Sequence, residues 1–189
     1  MNSMTFEELF NLLQQVDEHE RIEAKKSTEK LGKSSLETIC AFCNEPGLGG
    51  GYVVLGLTKN GSEGVPRYKV TGIHDPDKLQ NEIVSLCRQN FSISIRPIIE
   101  IIQHPQGILM LVYISEAEPH EKPVYIKCLG LDRGTYRRIG PADLLCTKDD
   151  LDTLYQLRSR RNFDESTIEE ASLDDFDPQA LSTYRGARG

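Results

Sequence analysis

A run of apolar residues directly after three glycines constrains the fold of this chain more than any other feature. Residues 49–57 read Gly-Gly-Gly-Tyr-Val-Val-Leu-Gly-Leu. A continuous apolar run of this length is typical of a central strand that is covered on both faces. A helical stripe precedes the glycines, and it predicts a helix over 35–44 from Leu36, Ile39, Cys40 and Cys43. The sequence therefore predicts a tight joint at which a helix doubles back onto a buried strand.

The same glycines resemble a phosphate-binding loop in composition, but the helix and the strand flank them in the opposite order. A phosphate-binding loop follows a strand and precedes a helix, so that the amides of the helix N-terminus face the anion. Here the helix comes first, and the chain contains no Gly-x-x-x-x-Gly-Lys-Ser/Thr pattern. We therefore interpret the joint as structural. Its glycine backbone, around Asn44, Gly50 and Gly51, would still permit close approach of a phosphate.

Periodicity and turn signals assign the remaining elements. Hydroxyl and acidic residues three positions apart mark helix starts at Thr5, Ser34 and Thr147, and Asp75-Pro76 marks another. The predicted helices span 6–15, 35–44, about 75–90 and 148–160. The predicted strands span 21–26, 52–57, 98–103, 108–115, 124–127 and 135–139. This order predicts an α/β (α+β) fold, a mixed β-sheet with hairpins packed by helices, and not a doubly wound parallel sheet.

The charge of the chain is unevenly distributed. The formal net charge of −7 argues against a partner that is a polyanion. However, the segment 163–189 alone holds seven acidic and two basic residues. The segment 125–162 holds eight basic and five acidic residues. Any attraction of nucleic acid must therefore come from local basic patches.

The cysteines and the N-terminus predict a cytoplasmic protein. The chain has five cysteines and begins with a polar segment in place of a charged and then apolar leader. Reduced thiols are therefore expected, and Cys40 and Cys43 lie on the apolar stripe of a predicted helix, which favours core packing over metal binding. No apolar run is long enough to span a membrane.

Acidic and basic side chains alternate around the first predicted strand. Glu23 and Lys25 stand two residues apart and share one face of that strand, and Glu18 lies just upstream. Carboxylates in this arrangement suit a divalent metal, Mg²⁺ or Mn²⁺, for phosphodiester cleavage. Glu18 and Glu23 are therefore candidate catalytic and metal-binding residues. The alternative is an edge strand with ordinary ion pairs.

Two basic clusters are candidate contacts for nucleic acid. Lys25, Lys26, Lys30 and Lys33 form one cluster. Arg133, Arg137 and Arg138 flank an aromatic residue and form the other, a composition that suits phosphate contact with stacking. Strand alternation places Arg137 opposite Arg138, so the three arginines do not share one face. The alternative for the second cluster is a solvated hairpin.

Four segments together resemble the Schlafen AlbA-like domain. They are residues 22–27 (Ile-Glu-Ala-Lys-Lys-Ser), 39–44 (Ile-Cys-Ala-Phe-Cys-Asn), 50–57 (Gly-Gly-Tyr-Val-Val-Leu-Gly-Leu) and 136–140 (Tyr-Arg-Arg-Ile-Gly). The resemblance runs from about residue 5 to residue 145 and implies an α/β fold that binds DNA or RNA. This domain opens bacterial proteins described as transcriptional regulators or as RecG-related ATP-dependent DNA helicases. Any helicase or ATP-binding function would then belong to other parts of a longer protein.

The resemblance also implies a nuclease alternative. In related animal Schlafen proteins a metal-dependent RNA nuclease uses two glutamates and an aspartate, and Glu18 and Glu23 match the glutamates in spacing. The aspartate is expected after the glycine-rich strand, where this chain reads Thr58-Lys59-Asn60 without an acid. Because a site that lacks one of three carboxylates binds metal poorly, we expect a binding module more than a nuclease.

These observations predict a nucleic-acid-binding regulatory module, with DNA as the first candidate partner and a metal-dependent RNA or DNA nuclease as the alternative. The expected contacts are Lys25, Lys26, Asn44, Gly50, Gly51, Arg133, Arg137 and Arg138. No cofactor is expected unless the chain is a nuclease. The expected organisation is a Schlafen AlbA-like domain over 5–146, a helix over 147–162 and an acidic linker over 163–189. The sequence leaves open a homodimer and a protein partner for the acidic tail.

Overall fold

The computed structural model describes residues 4–26, 31–60 and 67–164. The helices are α1 (Phe6–Gln15), α2 (Lys33–Asn44), α3 (Pro76–Gln89), α4 (Leu131–Gly134) and α5 (Lys148–Asp164). The strands are β1 (Ile22–Lys25), β2 (Gly51–Leu55), β3 (Leu57–Lys59), β4 (Tyr68–Val70), β5 (Ile98–His104), β6 (Gly107–Ile114), β7 (Tyr136–Ile139) and β8 (Ala142–Leu145). The mixed α/β fold predicted from the sequence is confirmed.

The main sheet contains four strands in the order β1-β2-β6-β5. Strands β1 and β2 are parallel and are joined through α2, so β1-α2-β2 is a βαβ unit. Strand β6 is antiparallel to both of its neighbours, β2 and β5. It follows that β1, β2 and β5 all run in one direction. We call the end of the sheet at which these three strands finish its carboxyl end.

Strand β2 is buried on both faces, as the apolar run predicted. Val53 and Leu55 pack into a core with α2 and α3 on one face of the sheet. Tyr52 and Val54 pack on the other face, in a second core with Leu9 and Leu13 of α1 and other residues. Alternation along a strand thus supplies both cores from a single segment.

The apolar run does not form one continuous strand as predicted, because it bends at Gly56. Gly56 has a φ of +90°, in the region that glycine adopts without strain. Its amide donates to Lys25 O at 3.0 Å, and its carbonyl accepts from Thr71 N at 2.8 Å. After the bend, β3 pairs with β4 in a hairpin that the sequence did not reveal. This hairpin lies against the end of β1.

Three of the four predicted helix starts are confirmed in detail. Thr5 and Thr147 cap their helices through reciprocal bonds with an acidic residue three positions later, and Asp75 accepts from the amide of Lys78. The predicted box at Ser34 is wrong. Helix α2 begins two residues earlier than predicted, at Lys33, and its cap residue Gly32 makes no side-chain cap bond.

The strand predicted over 124–127 is also wrong, because side-chain bonds replace a strand partner there. Only Ile126 forms a bridge, to Phe91, while the backbone of Val124 bonds to a side chain of α2. The hairpin predicted over 98–115 and the helix over 75–90 are confirmed. Strand β8 was not predicted. The acidic linker expected over 163–189 lies almost entirely outside the described residues.

Cysteine placement agrees with the core packing expected for the Cys-x-x-Cys pair. Cys40 and Cys43 are buried in the core beneath α2, and burial raises the pKa of Cys40 to about 12. Within the described ranges, none of the helices is long and apolar enough to cross a membrane.

Candidate nucleic-acid interface

The glycine joint between α2 and β2 is built for close packing. A Cβ atom on Gly50, whose φ is +95°, would lie 2.1 Å from Ile114 O. A Cβ atom on Gly51 would lie 2.3 Å from the ring of Phe42. Both glycines are also buried. They are required by packing, and their structural role explains the motif without any ligand.

The amides of this loop are already occupied by an anion of the protein itself. Gly47 N and Gly49 N donate to the two carboxylate oxygens of Glu116 at 3.0 and 2.7 Å. Lys122, whose side chain is 1% exposed, donates to the same carboxylate at 2.6 Å. Burial, the largest single influence, raises the pKa of Glu116, but these bonds together hold it below its usual range. The carboxylate of Glu116 therefore accepts from the loop amides that a bound phosphate would need.

Asn44, another predicted contact, lies fully buried at the end of α2. Its side-chain amide donates to Val124 O at 2.7 Å and to Tyr136 O at 3.0 Å. Its side-chain oxygen accepts from Val124 N at 2.8 Å. The residue therefore pins two distant segments of backbone to the helix, and its polar atoms face the interior.

Arg138 is the most deeply buried of the predicted basic contacts. Its side chain is 0% exposed and forms ion pairs with Glu23 at 2.8 Å and Asp143 at 2.7 Å. It also donates to the carbonyls of His19 and Ile22, and its guanidinium lies over the ring of Phe42. Arg138 thus joins β7, β8 and β1 in the interior. In this arrangement its charge is turned away from solvent.

Arg137 points away from Arg138, as alternation required. It makes a bidentate pair with Glu45, at 3.0 and 2.8 Å, and a third bond to Asp150 of α5 at 2.8 Å. The bonds to Glu45 are the main reason why the pKa of Arg137 is raised, and Asp150 adds to it. Two carboxylates therefore neutralise this arginine. It ties α5 to the end of α2.

The two candidate metal ligands come close to each other. Glu18 accepts from Ala24 N at 3.0 Å, and Glu23 bonds to Lys25 at 2.9 Å as well as to Arg138. Burial raises the pKa of Glu18, and the nearby charges of Glu23 and Asp17 raise it further. Within 4–26, 31–60 and 67–164, no three acidic, histidine or cysteine side chains converge on a possible metal position. Glu23 instead forms ion pairs with Lys25 and Arg138.

Asp17 extends this acidic cluster, although no sequence motif pointed to it. Asp17 has a φ of +82° and accepts from Lys59 and from the hydroxyl of Tyr68. Arg67 lies 3.6 Å away. Burial, the largest influence, raises the pKa of Asp17, but its hydrogen bonds outweigh burial and lower the pKa to about 2. Lys59 comes from the segment in which the sequence lacks an acid, so it places a cation beside these carboxylates.

The carboxyl end of the sheet brings several cations together. The ammonium of Lys25 lies 3.5 Å from the hydroxyl of Ser34 in the first turn of α2. Lys26 is exposed and has no bond to the described residues. Lys33 is 73% exposed and forms an ion pair with Glu37 one turn along α2, at 3.5 Å. Arg133 is also exposed without such a partner, but none of its described contacts joins it to the two lysines. Of the predicted contacts, Lys26 and Arg133 therefore present free charge.

The architecture now defines a class of protein. It is an α/β domain in which a βαβ unit and an antiparallel hairpin share one sheet, with a lysine-rich connection from strand to helix at the carboxyl end. The family described as Schlafen, AlbA_2 matches residues 18–147. The chain therefore belongs to the Schlafen AlbA_2 family, as its sequence motifs predicted.

A solved structure from Nitrosomonas europaea agrees with this fold. This solution NMR structure is 42% identical to the chain and superposes with a TM-score of 0.61, covering 78% of this chain and 95% of that chain. It is the N-terminal domain of a RecG-related protein named as a candidate ATP-dependent DNA helicase. A crystal structure from Corynebacterium diphtheriae is 13% identical with a TM-score of 0.47, over 88% of this chain and 33% of that chain. No functionally curated protein matched.

Proposed function

We propose that this chain is a non-catalytic nucleic-acid-binding module, with DNA as its first candidate partner, that serves a larger regulatory or helicase-related protein. The proposed contact surface is the carboxyl end of the sheet. Lys25, which is paired with Glu23, contacts the first turn of α2 there, Lys26 follows it in the chain, and Lys33 is the first residue of the helix. Arg133 is proposed as an additional contact, separate from these lysines.

The observation that carries this proposal is the connection from β1 to α2. It has the order that the glycine joint lacks: a strand, a loop and then the N-terminus of a helix. Helix α2 has 12 residues, and no side chain caps its first turn. The partial positive charge of a helix N-terminus and the adjacent lysines act together on a phosphate.

The position of this connection also fits the general behaviour of α/β sheets. Ligands of open α/β sheets bind outside the carboxyl ends of the parallel strands, because the strand-to-helix loops gather there. The structural relative from Nitrosomonas europaea is named for a DNA helicase, which is consistent with a domain that contacts nucleic acid. The family resemblance supports the same partner class.

The proposal assigns a structural role to Arg138, Asn44, Gly50 and Gly51, because packing or internal bonds occupy each of them. It likewise uses Glu23 as a partner for Lys25 and Arg138, and not as a metal ligand. Among the described residues, no third side chain joins Glu18 and Glu23 as a possible metal ligand, so nothing there favours the nuclease alternative.

The proposal is tested by fluorescence anisotropy with a labelled DNA duplex and the matching single strand at about 50 mM salt, where phosphate contacts bind strongly. The double variant Lys26→Glu/Lys33→Glu should weaken binding by about tenfold or more for each lysine–phosphate interaction that it removes. The control is Arg96→Glu. Arg96 is exposed and precedes β5, so it lies at the opposite end of the sheet. Equal losses in both variants, or no binding by the unmodified chain, would refute the proposal.

A further inference from the structure

A groove of about 610 Å³ opens between α1, β4 and the turn that joins β5 to β6. Its size lies within the range of small-molecule sites. Two partly exposed aromatic rings contribute to its wall, those of Phe10 and His104, and Tyr68, which is 2% exposed, also borders it. The remaining lining residues are Gln14, Gln106, Lys69 and the apolar Val70. None of the residues identified as candidate contacts from the sequence lies in it.

The wall of the groove is held in place by bonds within the domain. Gln14 pairs with the backbone of Tyr68 in both directions, donating to its carbonyl at 2.9 Å and accepting from its amide at 3.1 Å. The ring of Phe10 stacks on Phe6 with centroids 5.6 Å apart, and it meets His104 at 6.0 Å in a tilted arrangement. The aromatic surface is therefore formed before any ligand arrives, which reduces the entropic cost of binding.

The polar groups of the groove leave hydrogen-bonding capacity and a positive charge. The Nδ1 atom of His104 accepts from Gln106 N at 3.1 Å, so a neutral ring carries its proton on Nε2 and can donate. The side chain of Lys69 is exposed and makes no hydrogen bond or ion pair with the described residues. No carboxylate belongs to the described lining, although the chain has more acidic than basic residues. The groove thus favours an anionic ligand.

The groove lies at the same end of the sheet as the proposed contact surface. His104 ends β5, which runs in the same direction as β1, so His104 and Lys26 share the carboxyl end. The β3–β4 hairpin connects the groove with the proposed contact surface. Lys69 pairs with Thr58 of β3, and the amide of Gly56, just before β3, bonds to Lys25 O.

We infer that this groove binds an unpaired nucleobase together with its phosphate, so that the module takes single-stranded nucleic acid or the unpaired end of a duplex. Aromatic faces stack on any base, the side-chain amide of Gln106 can bond to a base edge, and Lys69 at the rim can contact the phosphate. A base inside a duplex is stacked on its neighbours and cannot enter. This inference rests on the proposed function and specifies its substrate.

The first test uses a single strand of about 12 nucleotides that carries 2-aminopurine, whose fluorescence falls when the base stacks on an aromatic ring. Phe10→Leu should weaken binding by about fivefold or more and abolish the fall in fluorescence. Lys69→Gln, at an exposed position, should weaken binding without affecting folding. The matched controls are Tyr155→Leu, which removes an exposed ring of α5, and Arg96→Gln at the far end of the sheet.

The second test uses adenosine monophosphate and follows the imidazole C–H resonances of His104 by NMR. We expect these resonances to shift in the unmodified chain and to stay fixed in Phe10→Leu. If Phe10→Leu and Tyr155→Leu bind the single strand equally and the nucleotide leaves His104 unchanged, the inference is overturned, while a loss in Lys26→Glu/Lys33→Glu would leave the proposed function standing. If the nucleotide shifts His104 but no DNA or RNA binds, the groove stands and the proposed function fails.

Discussion

Replacing Arg138 with methionine would distinguish a structural arginine from one that contacts phosphate. Methionine keeps the length and apolar stem of the side chain but removes the charge and its donors. The change would leave Glu23 and Asp143, which are 12% and 14% exposed, without the guanidinium that now pairs with both. It would also remove the donors to the carbonyls of His19 and Ile22.

The expected cost is large because the remaining charges stay buried. Removing one partner of a buried ion pair costs about 3–5 kcal/mol, since the other partner is left without compensation. The ring of Phe42 adds a cation–π contact of about 1 kcal/mol. Lys25 still pairs with Glu23, so we expect a total loss near the middle of the range for the pair, about 4 kcal/mol.

Urea unfolding measures this loss of unfolding free energy, and variants of Arg137 and Arg133 provide values for comparison. Arg137→Met should cost about 1 kcal/mol, because the arginine is 20% exposed and its ion pairs are partly solvated. Arg133→Met should change the free energy of unfolding by less than about 0.5 kcal/mol at its exposed site. A loss below about 1 kcal/mol for Arg138→Met, combined with a loss of DNA affinity in the folded protein, would refute the structural assignment.

Three further predictions follow from the same structure. Asn44→Ala should cost about 3 kcal/mol in urea unfolding, because two buried backbone groups and one partly buried carbonyl lose their partner. A change under about 1 kcal/mol would contradict the bonding described. The pKa of Asp17 lies at about 2 against an ordinary 3.8, so its stabilisation is present above the ordinary value and is lost as the pH falls toward 2. Asp17→Asn, which tolerates the positive φ, should therefore be less stable at about pH 6 yet lose less stability on going to about pH 3, whereas parallel pH profiles would contradict this pKa. Millimolar Mn²⁺ should leave the melting temperature and labelled RNA unchanged, whereas cleavage that disappears in Glu23→Ala would restore the nuclease alternative.

Elements with a strong period could be predicted because local chemistry decides them. Strand β2 and helices α1 and α3 each show a clear apolar pattern, and the caps at Thr5 and Asp75 are satisfied within their own turns. Short elements could not be predicted because their stability comes from partners that are distant in the chain. Strands β3 and β4 have three residues each and are held by a bend at Gly56 and by contacts with β1.

The roles of neighbouring arginines show the limit of sequence reasoning about the site. Alternation placed Arg137 and Arg138 on opposite faces, and the structure agrees. It did not indicate which face is buried, because the deciding carboxylates, Glu45 and Glu23, lie 92 and 115 residues away in the chain. The partner of the glycine loop could not be predicted from the sequence for the same reason. The carboxylate of Glu116, which occupies its amides, is 67 residues from Gly49.

The salt dependence of DNA affinity shows whether the lysines at the carboxyl end of the sheet contact phosphate. Each phosphate contact contributes about −0.9 to the slope of log K against log salt concentration for duplex DNA, and about −0.7 for a single strand. The account predicts that Lys26→Gln and Lys33→Gln each make the slope less steep by about one contact, while Arg96→Gln leaves it unchanged. A slope that stays the same in the two lysine variants, or that changes equally in Arg96→Gln, would show that the carboxyl end of the sheet is not where this domain meets nucleic acid.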